Sequence, residues 1–165
     1  MRVGWDLLTI HPPLPRRKKN IEWSQISWNW MSGCDGIDGV HCEGCYAKFI
    51  AEKRLKGRWG YPLDDPFSVV FHPDKLDLPF KRKSSCVLFN VSMGDWMYAE
   101  RKWRQEALRV MKDCPRHIFV TLTKQYDKLG MIAADSPMSK AGLQYGREIP
   151  RNVIVGISVT KKDQV

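Results

Sequence analysis

The chain has 165 residues, 43% of them hydrophobic, with 27 basic against 18 acidic side chains and a net charge of +9. That is material for one soluble domain with a real core, and no apolar run approaches the roughly 18 residues of a membrane-spanning helix. The basic excess favours an anionic partner such as nucleic acid, a nucleotide or a phosphorylated substrate, although charges like Lys81-Arg82-Lys83, Lys53 and Arg54 ordinarily just face solvent.

Residues 1–20 carry His-Pro-Pro-Leu-Pro and then Arg16-Arg17-Lys18-Lys19, a composition that resists helix and strand and predicts a basic, proline-containing arm. The folded domain, 21–165, opens with a strand over Ile21–Trp30, rich in aromatic and branched residues, which delivers a glycine-rich loop holding Cys34, Cys42 and Cys45. A helix follows over Tyr46–Lys56, with Ala47, Ile50, Ala51 and Leu55 at helical spacing and Gly57 as its stop. Phe67–Phe71 is a short extended piece, and Pro73–Pro79 a turn or brief helix. Cys86–Val91 predicts a buried parallel strand, Arg101–Lys112 a helix with Trp103, Ala107, Val110 and Met111 on one face, and His117–Thr123 another buried strand. A weaker helix over Tyr126–Ile132, a Ser-Pro-Met-Ser loop and a last strand, Asn152–Val159, complete the order.

Strands alternating with helices predict an α/β fold with parallel strands and right-handed crossovers, as a barrel or an open sheet. In both, chemistry sits at the carboxyl ends of the strands. Four polar clusters fall there: the cysteine loop, Ser92-Met93-Gly94-Asp95, Thr121 with Thr123 and Lys124, and Ser158 with Thr160. Thr121 and Thr123 alternate with apolar neighbours, which gives one side of their strand a polar character suited to lining a cavity. Lysine at the position of Lys124 suits an anionic ligand, and Asp95 is equally placed to cap the helix that follows. Trp23, Trp28, Trp30, Trp96 and Trp103 are read as core rather than as a base-stacking platform.

Three cysteines within twelve residues can converge on one metal centre. A closed structural site takes four protein ligands, whereas three on a four-iron cluster leave one iron open to a small molecule. The alternatives are a zinc site completed by His41 or His72, within a nucleic-acid-binding module without catalysis, or unconnected thiols. Cys86 and Cys114 lie in apolar surroundings and are expected to be small core residues. Five thiols and no signal peptide fit a reducing cytoplasm.

From Ile21 to about Val159 the chain resembles the phage and prophage gene product 37 / gene product 68 family, the three-Cys-motif proteins. The resemblance rests on Ile21-Glu22-Trp23, Trp28-Asn29, Gly33-Cys34, Cys42-Glu43-Gly44-Cys45-Tyr46-Ala47, Leu76-Asp77-Leu78-Pro79, Val91-Ser92-Met93-Gly94-Asp95, Leu122-Thr123-Lys124 and Gly156-Ile157-Ser158-Val159. Its cysteine loop looks like that of radical S-adenosylmethionine (SAM) enzymes, though seven residues separate the first two cysteines where three are commonest, and Gly44 precedes Cys45 where an aromatic is usual. The resemblance implies a partial (β/α) barrel of the TIM-barrel type, a [4Fe-4S] cluster on Cys34, Cys42 and Cys45, SAM on the fourth iron, and reductive SAM cleavage with hydrogen abstraction from a nucleic-acid-related or other anionic substrate. It further implies Asp95, helped by Ser92 and the close approach Gly94 permits, as acceptor for the SAM ammonium, and Lys124, with Thr123 and Ser158, as neighbours of the SAM carboxylate or the substrate. Phage encoding would place the protein in the cytoplasm of a bacterial host. Family members continue into a further strand with a Ser-x-Glu-Pro-Leu-Leu motif, so the chain is expected to be a fragment whose open barrel edge takes a partner chain.

Overall fold

The computed structural model describes residues 21–130 and 149–159. The expected arm, the Ser-Pro-Met-Ser loop, the end of the Tyr126–Ile132 helix and Thr160 lie outside them. In chain order the elements are β1 (Ile26–Trp28), β2 (Met31–Ser32), α1 (Tyr46–Ile50) running into a π-helical turn (Ala51–Leu55), β3 (Val70–Phe71), α2 (Leu78–Lys81), β4 (Val87–Asn90), α3 (Arg101–Asp113), β5 (Ile118–Thr123) and β6 (Val153–Ile157). Short 3₁₀ turns occupy Pro73–Lys75, Trp96–Tyr98 and Tyr126–Lys128.

The α/β class holds: β1, β4, β5 and β6 form one all-parallel sheet in that order. Among the described residues the sheet is open, with β1 and β6 at its edges, and four strands are about half of what a closed (β/α) barrel needs. On the edge strand Ile154 and Ile157 are about half exposed. No helix among the described residues is long and apolar enough to cross a membrane.

One face of the sheet packs on α3. Trp28, Leu88 and Phe119 share a core with Ala107, Leu108 and Met111, all of them fully buried, and each of the large side chains among them contributes on the order of 2 kcal/mol. Within that core Trp30 Nε1 donates to Asn90 Oδ1 (2.7 Å) and Asn90 Nδ2 to Thr121 Oγ1 (3.1 Å), so Thr121 serves a buried network rather than a cavity wall. The expectation that the tryptophans are core holds for Trp28, Trp30 and Trp96, while Trp103 stacks on Phe71 at 5.0 Å and Trp23 meets the edge of Phe89 at 4.8 Å. Cys86 and Cys114 are buried.

Three elements differ from expectation. β1 is three residues long because side-chain amides replace the ladder at its ends: Gln25 Oε1 accepts from Val87 N (2.6 Å) and Asn29 Oδ1 from Ser92 N (2.7 Å). Met31–Ser32, just past the end of the expected first strand, form β2, paired antiparallel with β3. The helix after Cys45 widens at Ala51, which keeps Leu55 on the face of Ala47 and Ala51 over Tyr61 and Phe67. Only a 3₁₀ turn is found at Tyr126–Lys128.

Candidate metal centre and cofactor cavity

A cavity of about 550 Å³ opens at the carboxyl end of the sheet, within the range that encloses a small molecule. Cys34, Cys42 and Cys45 line it together with Ser92, Gly94, Asp95, Thr123, Lys124 and Ser158, so each residue that the resemblance assigns to the cluster or to SAM faces one space. Phe89 and Leu122 supply an apolar floor.

The cysteine loop is held from beneath by close backbone contact. Gly33 N donates to Met93 O (3.0 Å) and Asp95 N to Gly33 O (3.2 Å), and a Cβ on Gly94 would lie 2.3 Å from that oxygen. Glycine is required there for the approach itself. The loop carbonyl of Gly36 accepts from Gln125 Nε2 (3.2 Å) and from the Tyr98 hydroxyl, which ties the turn between the first two cysteines to the ends of β4 and β5. Val91 ends β4 with φ 57°, an outlier for a β-branched residue, and this sharp turn carries Ser92 and Gly94 toward the loop.

The sulfurs have polar neighbours. Gly36 N donates to Cys34 Sγ (3.3 Å) and Lys124 Nζ to Cys42 Sγ (3.2 Å). Burial pushes the Cys34 thiol up to about 11, with the charges of Asp95, Cys42 and Cys45 adding to the rise and the Gly36 amide opposing it. Deprotonation at neutral pH therefore calls for a cation in the cavity, as metal binding supplies. Among the described residues no three His, Cys, Asp or Glu side chains are grouped as a metal ion would need, so the three thiols share the lining of one cavity without forming a closed ligand set. His72 is turned away: its Nε2 pairs with Ser32 Oγ (2.8 Å), and it is 3% exposed in a separate cavity. His41 packs against Phe67 at 5.7 Å, beside the cysteine loop.

Asp95 takes the capping role that the sequence left open, on the 3₁₀ turn rather than on α3. Its carboxylate accepts from Met97 N (3.1 Å), from Thr123 Oγ1 (2.9 Å to either oxygen) and from Lys124 N (2.9 Å). Burial raises its pKa and these hydrogen bonds oppose the rise. Thr123 Oγ1 in turn accepts from Gln125 N (2.9 Å), and Ser92 Oγ donates to Asn29 Oδ1 (3.1 Å). These groups build the wall and leave little capacity for a ligand. Among the described residues on the cavity, Lys124 Nζ, Ser158 and Glu43, an exposed carboxylate on the cysteine loop itself, keep capacity for a ligand. Nothing in the sequence separates Glu43 from any loop acid except its place between Cys42 and Cys45. Asn29, Tyr98 and Gln125 are further supports that sequence reasoning did not single out, since each acts through a contact more than 60 residues away.

Comparison with the curated proteins and with the solved structures found no match. Residues 18–165 match a family model described as "Protein of unknown function (DUF5131)". With the cysteine loop and all four parallel strands inside the matched span, the chain belongs to the DUF5131 family.

Proposed function

We propose that the chain is a radical-SAM-like protein on a partial (β/α) barrel, of the three-Cys-motif kind found in phages and prophages, that acts on an anionic, nucleic-acid-related substrate. The reading is carried by one observation: three thiols and the polar residues of three other strand ends line a single cavity. Cys34, Cys42 and Cys45 would hold a [4Fe-4S] cluster, which with SAM supplies one-electron reductive chemistry. The chain's own work is then positional. Gly33 and Gly94 fix the height of the loop, Gly36 N–H and Lys124 Nζ donate to ligand sulfurs, and Asp95 holds Thr123 and the Lys124 backbone in place without touching a ligand. Glu43 is the carboxylate with free acceptors for an ammonium group, and Phe89 and Leu122 exclude water from the floor of the site.

Anaerobic reconstitution with iron and sulfide, followed by metal analysis and ultraviolet-visible absorption, tests this. Brown protein carrying iron, with colour lost in Cys45→Ser and kept in His41→Ala, is the expected result. Colourless protein that retains zinc and loses it in His41→Ala overturns it in favour of a zinc-stabilised module.

A further inference from the structure

The residue least explained by folding is Trp59. Tyr61 N donates to Arg58 O (2.9 Å), closing a tight turn whose central residues, Trp59 and Gly60, both have positive φ (49° and 84°). Turns of this primed type take Asn, Asp or Gly at those positions, because a bulky side chain in the left-handed region is strained. Tryptophan here is strained and 70% exposed, whereas Trp28, Trp30 and Trp96 are fully buried. Neither the turn nor the core gains from it.

Its surroundings have a consistent chemistry. Trp59 lines a second cavity of about 700 Å³, formed with Tyr61, His72, Lys75 and Asn29. Lys75 is fixed there: its carbonyl accepts from Trp28 Nε1 (2.8 Å), and its ammonium lies over the Tyr61 ring at 5.9 Å. Lys53, Arg54, Lys56 and Arg58 are all exposed on the chain leading to the turn. Asp74 lines the cavity beside Lys75, and Asp64 and Asp65 lie nearby in sequence, yet the cations still exceed the acids along 53–75. An outward aromatic ring beside a cavity, flanked by cations, is how single-stranded nucleic acid is held: the ring stacks a base and the cations meet phosphates.

We propose that Trp59 and the adjoining cavity bind an unpaired base of a single-stranded nucleic acid, with Arg58 and Lys75 on its phosphates. This names the substrate class of the proposed function and rests on that reading for its catalytic meaning, but the binding itself needs no cluster. The two cavities share a wall, since Asn29 borders one and its hydrogen-bond partner Ser92 the other.

Fluorescence anisotropy with labelled 15-nucleotide single-stranded RNA, the same DNA sequence and a duplex tests the proposal, using the full chain before any metal is added. Single strands should bind better than duplex to this metal-free chain, so failure of the cluster reading leaves this result standing. Preference for RNA over DNA would show that the sugar is read, and parity that the base and phosphates suffice. Trp59→Gly relieves the turn and should fold at least as well as the parent, yet bind single strands roughly 5- to 100-fold more weakly, with Trp59→Phe retaining most of the affinity. Arg58→Ala and Lys75→Ala should each lower the slope of log affinity against log salt by about 1. Trp59→Gly binding as tightly as the parent overturns the proposal, and so does failure of both single strands to bind, which would leave Trp59 to a protein partner.

Discussion

Replacing Gly94 with Ala tests whether backbone contact positions the cysteine loop. Gly94 has no positive φ to relieve, so the added methyl acts by volume alone. Its carbon would sit 2.3 Å from Gly33 O and 2.8 Å from Gly33 N, against a practical limit of 3.0 Å, so the two backbones must part by at least 0.7 Å. The bonds Gly33 N–Met93 O (3.0 Å) and Asp95 N–Gly33 O (3.2 Å) then stretch beyond reach. Two buried groups losing partners cost about 2–4 kcal/mol together, which lowers Tm by roughly 5–15 °C in a chain of this size. A supporting shell displaced on this scale weakens metal affinity by roughly 10- to 100-fold. Circular-dichroism melts of the metal-free protein give the first quantity, and iron retained after gel filtration of the reconstituted protein gives the second. Gly130→Ala, where an added Cβ meets nothing within 4 Å, is the control. A Gly94→Ala protein that melts with the parent and keeps its iron would refute the positional account.

Glu43→Gln should weaken SAM binding by roughly tenfold with Tm unchanged, whereas Asp95→Asn should lower Tm and leave residual SAM affinity closer to the parent; calorimetric titration of the reconstituted protein separates the two. Lys124→Met removes a donor to Cys42 Sγ and should move the reduction potential of the reconstituted cluster downward while iron content stays the same, as a spectroelectrochemical titration would show. His72 is pulled from 6.5 to about 4, first by burial and then by the charge of Lys75. Its neutral form is the native one, so its stabilisation is complete above about pH 6.5 and is lost as pH falls toward 4, amounting to about 3 kcal/mol. Urea melts at pH 7.5, 5.5 and 4.5 should show that loss in the parent and a shallower one in His72→Gln; equal slopes would remove His72 as the source.

The parts of this molecule that were legible in the sequence are those written locally. Short apolar runs such as Val87–Asn90 and Ile118–Thr123 stand between polar breakers, and their alternation with the 3.6-residue pattern of α3 predicts a parallel sheet. The strand-end rule then brings Cys34, Ser92, Lys124 and Ser158 to one cavity although up to 124 residues separate them. Partner choice was not legible. Thr121 and Thr123 share the alternating pattern, yet one joins Asn90 in the core and the other meets Asp95 at the cavity. Asp95 reads the same as a cap or as a ligand until Thr123 and the Lys124 amide are seen on its oxygens. Trp59 carried no periodic signal, because its meaning lies in the sign of one backbone angle.

The Asn29–Ser92 pair has a thermodynamic consequence. Asn29 Oδ1 accepts from both the amide and the hydroxyl of Ser92, at 2.7 and 3.1 Å, so a movement of one residue is a movement of the other. A ligand that shifts Asn29 from the Trp59 side changes affinity on the cysteine side by some factor, and occupancy of the cysteine side must return the same factor. With two bonds joining the cavities and a coupling of about 1–3 kcal/mol within ordinary reach, a nucleic-acid strand could regulate how firmly a cofactor is held before any chemistry begins, and reciprocity makes that measurable from either side.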